Sequence, residues 1–169
     1  MASSRFLFAV VLCIVQLWQS EAAAVKEFHD WDGLKQDLIT SEYSMVDFFA
    51  SWCSYCVTLA PKYEQAAKMI SEGDLKDKVK LIKVQCDDEK IEGGRKPICT
   101  ANNIQGFPTI FVYKKGIKFD QYRGERTPEA IVKYIGEVVK TGKPKFAGKQ
   151  VSDQHMCLAK DFKKYLHHN

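Results

Sequence analysis

Phe48-Phe49-Ala50-Ser51-Trp52-Cys53-Ser54-Tyr55-Cys56-Val57-Thr58-Leu59-Ala60-Pro61-Lys62-Tyr63-Glu64 decides how the rest of the chain is read. Leading into it, Tyr43 to Ala50 is an apolar, partly β-branched and aromatic run of strand length. Beyond it, Val57, Leu59, Ala60, Tyr63, Ala66, Ala67 and Ile70 recur at helical spacing up to Gly73, and Pro61 predicts a kink. A Cys-x-x-Cys at this strand-to-helix junction puts Cys53 at the helix N-terminus, where unpaired amides and the helix dipole stabilise a thiolate. Cys56 falls one turn later, close enough to attack a mixed disulfide on Cys53 and release its partner. Zinc would need a second ligand pair. Cys86 and Cys99 are 13 apart and lack that spacing, so a redox pair is expected and no metal.

The flanking segments read outward from this junction. Asp30 can cap a helix through about Ile39. Val79 to Gln85 is a second buried strand, and residues 87–95 form a polar, Gly-containing excursion before a short helix from Pro97 to about Asn102. Thr109–Tyr113 and Lys118–Tyr122 read as strands joined at Lys114-Lys115-Gly116. Thr127-Pro128-Glu129 offers a cap, a proline at the first helical position and an acid, opening a helix through Val139. From Tyr43 onward the order is β-α-β-α-β-β-α, an α/β fold with a mixed sheet flanked by helices. Thr141-Gly142-Lys143-Pro144 marks the domain's end, so the organisation expected is a domain at 25–140 and a tail at 141–169. In the tail, Leu158, Phe162, Tyr165 and Leu166 lie on one stripe of an extra C-terminal amphipathic helix. That helix either packs back on the domain or, through Lys160, Lys163 and Lys164, meets a partner or a membrane surface.

Residues 1–24 carry the marks of a cleaved signal peptide: Arg5, an apolar run from Phe6 to Val15, and Ala22-Ala23-Ala24 for cleavage after Ala24. The run is too short to span a bilayer, so no membrane span is expected. The 169 residues, 46% of them hydrophobic, suit one globular domain and exclude wholesale disorder. The net charge of +4 is interspersed, so nucleic acid is not an expected partner. Losing the leader also loses Cys13, which leaves Cys53, Cys56, Cys86, Cys99 and Cys157 in an oxidising compartment. That count is odd, so one thiol stays free, pairs between chains or takes part in exchange.

The stretch from Phe48 to Glu64 resembles the active-site segment of protein disulfide isomerase catalytic domains. Gly106-Phe107-Pro108-Thr109 is similar to the loop in which those domains hold a cis proline. The resemblance runs from about Val25 to Val139 and implies a thioredoxin fold. It implies that Cys53 is the attacking thiol, Cys56 the resolving thiol, Trp52 the aromatic flank and Pro108 the cis proline facing a Cys53–Cys56 disulfide. Phe107, Pro108 and Thr109 would present backbone to an extended client. Asp47, inside an otherwise apolar strand, resembles the buried acid that accepts the resolving thiol's proton, and Lys83 resembles the lysine that pairs with it. Burial would raise the Asp47 pKa and Lys83 would lower it, so the sign is open. A structural cap or edge position is the other reading of Asp47. Arg126 resembles the arginine that lowers the resolving thiol's pKa, with a solvated arginine as the alternative.

Three departures stand out. Ser54-Tyr55 occupies the dipeptide where the isomerases usually carry Gly-His. Without that histidine's charge, the pair is expected to be less oxidising. Cys86 and Cys99 resemble an extra pair of some paralogues, implying a structural disulfide, with two buried thiols as the alternative. The chain lacks a Lys-Asp-Glu-Leu-like ending, so endoplasmic reticulum and secretion both remain open. Cys157 reads either as a buried small hydrophobe against Leu158 and Phe162 or as an intermolecular link, so a monomer or a Cys157-linked dimer is expected. The function implied is a secretory-pathway thiol–disulfide oxidoreductase or isomerase acting on client proteins. It would need no bound cofactor, with glutathione or a partner oxidoreductase exchanging electrons. The alternative is a secreted thioredoxin-like binding module or effector.

Overall fold

Strand β2 (Tyr43–Phe49) is buried along almost all its length, which explains its unbroken apolar run. A computed structural model describes residues 25–88, 90, 95–146 and 157–158. In it β2 lies parallel to β3 (Val79–Gln85) on one side and antiparallel to β5 (Thr109–Lys114) on the other. Short β1 (Lys26–Phe28) extends the sheet beside β3, and β6 (Ile117–Tyr122) beside β5, giving the order β1-β3-β2-β5-β6. β1 escaped the sequence reading because Lys26 and Glu27 are exposed and polar; its pairing with β3 makes it a strand.

The helices cover both faces. Leu59, Tyr63 and Ile70 of α2 (Ser54–Glu72) and Ile131, Ile135 and Val138 of α4 (Pro128–Thr141) pack with Met45 and Val112 in one core. Leu34 and Leu38 of α1 (Trp31–Thr40) and Ile98 of α3 (Pro97–Ala101) pack with Val46, Phe48 and Ile82 in the other. The caps are local chemistry: the Asp30 carboxylate accepts from Gly33 N at 2.7 Å, and Thr127 Oγ1 accepts from Ala130 N. Gly142, in the left-handed region at φ 64°, closes α4 by donating to the Val138 carbonyl at 2.8 Å. The β5–β6 hairpin turns through Lys115 and Gly116, both at positive φ, the geometry a two-residue hairpin loop requires.

Beyond α4 the chain stays on the domain. Asp120 Oδ2 accepts from Tyr134 Oη at 2.7 Å and from the amides of Lys145 and Phe146, and the Phe146 ring stacks on Tyr134. Two further short strands form a separate ladder: β4 (Gly106–Phe107) pairs antiparallel with β7 (Cys157–Leu158). Leu158, placed by its spacing in a tail helix, is therefore in a strand, because a free backbone edge at β4 offers it a ladder. Phe162, Tyr165 and Leu166 lie outside the described residues, as does the leader at 1–24.

Cys86 and Cys99 are joined by a disulfide that ties the end of β3 to α3 across a separation of 13 residues. Closing a loop of that size restricts the unfolded chain by about 3 kcal/mol. Replacing both with alanine should lower the unfolding free energy by about that amount in urea titrations. An unchanged midpoint would contradict this role.

Candidate active site

Cys53 caps α2, its carbonyl accepting from Cys56 N at 2.9 Å and from Val57 N at 3.1 Å. This fixes the two cysteines on one turn, as the motif requires. The turn entering the helix is clamped by Asp87, whose carboxylate accepts from Ser51 N at 2.9 Å and from the Ser51 hydroxyl. Opposite stands the loop of Gly106 to Thr109, with a cis bond between Phe107 and Pro108. Phe107 and Thr109 are buried, Thr109 Oγ1 donates to the Gly106 carbonyl, and the Phe107 ring meets Trp52 edge-on at 6.1 Å. Phe107 therefore offers the site its backbone, its carbonyl oxygen lying 3.4 Å from Cys53 Sγ. That contact is not a hydrogen bond, since a disulfide sulfur carries no proton.

The sulfur of Cys53 is bonded to Cys157, with Cα atoms 5.8 Å apart, and Cys56 is a free, buried thiol. Two expectations are corrected here. The expected Cys53–Cys56 disulfide is not the bond this structure holds, and Cys157 is neither an inert core residue nor an intermolecular link. The reason is the β4 edge: pairing sets Cys157 opposite Phe107, whose carbonyl already touches Cys53. Bonded to Cys157, Cys53 has no exposed surface.

Beneath the motif sits Asp47. The period of two along β2 turns it to the α2 side with Tyr43 and Met45. It is 2% exposed, and its Oδ1 has no hydrogen-bond partner among the described residues. Burial pushes its pKa up to about 7, with the charges of Arg126 and then Lys83 opposing the rise. The Cys56 thiol is pushed up to about 12, chiefly by burial and further by the Asp47 charge, while a backbone hydrogen bond at Ala50 and Arg126 pull it down. Arg126 is half-buried, and desolvation lowers its own pKa against the pull of Cys56 and Asp47.

Lys83 departs from its expected partner. It is the cross-strand neighbour of Asp47 in the β2–β3 register, but its ammonium bonds Glu64 Oε1 at 2.7 Å. Glu64 is partly exposed, so the ion pair forms where water still helps solvate it, and Asp47 receives only the lysine's field. The sequence reading missed Glu64, although it ends the deciding stretch, because its distance from the cysteines hid that α2 carries it to Lys83. It also missed Tyr63, whose hydroxyl donates to the Met45 carbonyl at 2.8 Å beside Asp47, and Asp87. Among the described residues no cluster of three or more His, Cys, Asp or Glu could hold a metal. Nor is any helix there long and apolar enough to cross a membrane.

A family profile described as thioredoxin matches residues 25–137. The chain belongs to the thioredoxin family. Its thioredoxin domain is of the protein disulfide isomerase type. The protein disulfide-isomerase of Triticum aestivum is 36% identical over 109 residues, 64% of this chain and 20% of that one. That of Medicago sativa is 33% identical over 135 residues, 76% of this chain and 25% of that one. The chain thus spans only a fifth to a quarter of the length of these relatives. Human ERp44, form I, superposes with a TM-score of 0.59 at 24% identity, covering 70% of this chain and 30% of that one, a likeness of fold.

The Asp47 shift has a consequence for stability. Between about pH 4 and pH 7 the folded thioredoxin domain keeps a proton on Asp47 that the unfolded chain has lost. This contribution to stability is therefore whole below pH 4, falls as pH rises through that window, and is flat above it. Asp47→Asn should stabilise the fold at pH 8 by an amount on the order of a few kcal/mol and do little at pH 4. Urea titrations at the two pH values test this; equal effects at both would contradict a buried, protonated Asp47.

Proposed function

We propose that this thioredoxin domain is a thiol–disulfide oxidoreductase of the secretory pathway, exchanging disulfides with client proteins through Cys53 and Cys56. The observation that carries the reading is the placement of Asp47, a sealed carboxyl titrating near neutrality, behind a resolving thiol that burial holds protonated. A Cys53 thiolate, stabilised at the α2 N-terminus, attacks a client disulfide, forms a mixed disulfide and expels the second client sulfur as thiolate. Asp47 as carboxylate takes the Cys56 proton, and the Cys56 thiolate attacks the Cys53 sulfur. The bond to the client breaks, the client sulfur leaves as thiolate and is protonated, and the pair is left oxidised with the client reduced. Run backwards, the same steps donate a disulfide.

Arg126 lowers the cost of the thiolate on Cys56 during this step, and Lys83 with Glu64 sets the field at Asp47. Trp52 and the backbone of Phe107, Pro108 and Thr109 form the client-facing surface. Glutathione or a partner oxidoreductase resets the pair. Secretory placement is supported by the Cys86–Cys99 disulfide and by the leader-like composition of residues 1–24.

Asp47→Asn should slow release from a mixed disulfide by about a hundredfold or more at pH 7. The wild-type rate should rise with pH around the Asp47 midpoint. Single-turnover release from a Cys53-linked fluorescent peptide measures both; an unchanged rate in Asp47→Asn would remove the base from the account. Because Tyr55 stands where a histidine would favour the reduced pair, equilibration of the Cys157→Ser protein with glutathione should give a potential below about −180 mV, toward about −270 mV. A value at or above the isomerase figure would contradict this role of Tyr55.

A further inference from the structure

We propose that Cys157 is a third redox cysteine of this protein, carried on a strand of its own tail that occupies the client site and caps Cys53 in an internal mixed disulfide. The inference rests on the oxidoreductase reading for its purpose, though not for its geometry. Two independent observations converge on it. The sulfurs of Cys53 and Cys157 are bonded across 104 residues of sequence. Separately, the backbone of Cys157–Leu158 is laid antiparallel on Gly106–Phe107, with Cys157 opposite Phe107 and Leu158 opposite Gly106. An extended peptide that adds a strand beside an attacking cysteine is what a disulfide-bearing client must present, since main-chain pairing recognises any sequence. The tail meets this requirement with its own chain.

The start of the tail fits the task. Lys145 and Phe146 are pinned by Asp120 Oδ2, and Cys157 follows only eleven residues beyond Phe146. A tether of this length can reach about 35 Å and holds its cysteine at a local concentration on the order of millimolar. A client present at micromolar concentration therefore competes poorly with the tail.

Closing the cap costs no electrons. Starting from an oxidised Cys53–Cys56 pair, the Cys157 thiol gives up its proton and attacks the Cys53 sulfur. The Cys53–Cys56 bond breaks, and Cys56 leaves as thiolate and takes a proton, for which the Asp47 carboxyl is the adjacent donor. Opening is the reverse: the Asp47 carboxylate takes the Cys56 proton, the Cys56 thiolate attacks the Cys53 sulfur, and Cys157 leaves as thiolate and takes a proton. The capped and open oxidised forms are isomers, so the cap stores the oxidising equivalent while shielding Cys53 from solvent. Cys53 is fully covered in the capped form.

Non-reducing peptide mapping of acid-quenched, alkylated full-length protein tests the bond itself. The expected result is a Cys53–Cys157 peptide pair with Cys56 alkylated; in Cys56→Ser oxidised by glutathione disulfide, which is reduced to two glutathione thiols, the same pair should form in monomers at every protein concentration. A Cys53–Cys56 pair alone, or disulfide-linked dimers of Cys56→Ser in place of the internal bond, would overturn the proposal. At 10 μM client, Cys157→Ser should exchange disulfides about tenfold or more faster than wild type, the tail no longer competing covalently. Equal, non-zero rates would overturn the capping role. Inactivity of both proteins, with the Cys53–Cys157 peptide pair mapped in wild type, would uphold the internal bond and count instead against the oxidoreductase reading.

Discussion

A carboxyl group held out of water behind a buried thiol is the constraint around which this thioredoxin domain is arranged. Asp47 occupies the central strand, almost fully buried, and one of its oxygens has no hydrogen-bond partner among the described residues. Such burial disfavours the charged form, and the surrounding charges offset only part of that cost. The result is an acid poised to give and take a proton near neutral pH. Cys56 supplies the other half, since its thiol stays protonated until something adjacent accepts the proton. Lys83, Glu64, Arg126 and Tyr63 are the supports of this arrangement, and stability is given up for it.

The second constraint is the short edge at Gly106–Phe107. A pair of backbone residues beside Cys53 is useful to an exchange enzyme because it binds extended chains without reading their side chains. The same indifference leaves it open to any nearby strand, including the protein's own tail. Burying the Cys53 sulfur under Cys157 answers that liability and gives the odd cysteine a use. In the proposed exchange, acid, resolving thiol and capping thiol take part in one sequence of proton transfers and disulfide exchanges at Cys53.

Much of this was legible in the residues because it is local. The strand, the Cys-x-x-Cys turn and α2 follow from the run through Phe48 to Glu64, and the caps at Asp30 and Thr127 from three-residue patterns. Asp47 stood out because a charge in an apolar strand demands an explanation. What was missed is long-range. Lys83 was assigned to Asp47 by family likeness, and only the placement of α2 reveals Glu64 as its bonded partner. The Cys53–Cys157 bond joins residues whose proximity no spacing announces, and the helical stripe drawn through Leu158 overlooked the attraction of an unpaired strand edge. β1 is made by its neighbour and not by its own composition.

The most direct test is the titration of Asp47 itself, followed by the carboxyl carbon resonance in protein labelled with carbon-13 and carrying the Cys53–Cys157 bond. A midpoint near 7 would establish the sealed, proton-exchanging acid on which the account depends. A midpoint near 4, the ordinary range for an aspartate, would mean that water or an ion pair reaches the carboxylate, and Cys56 would need another base.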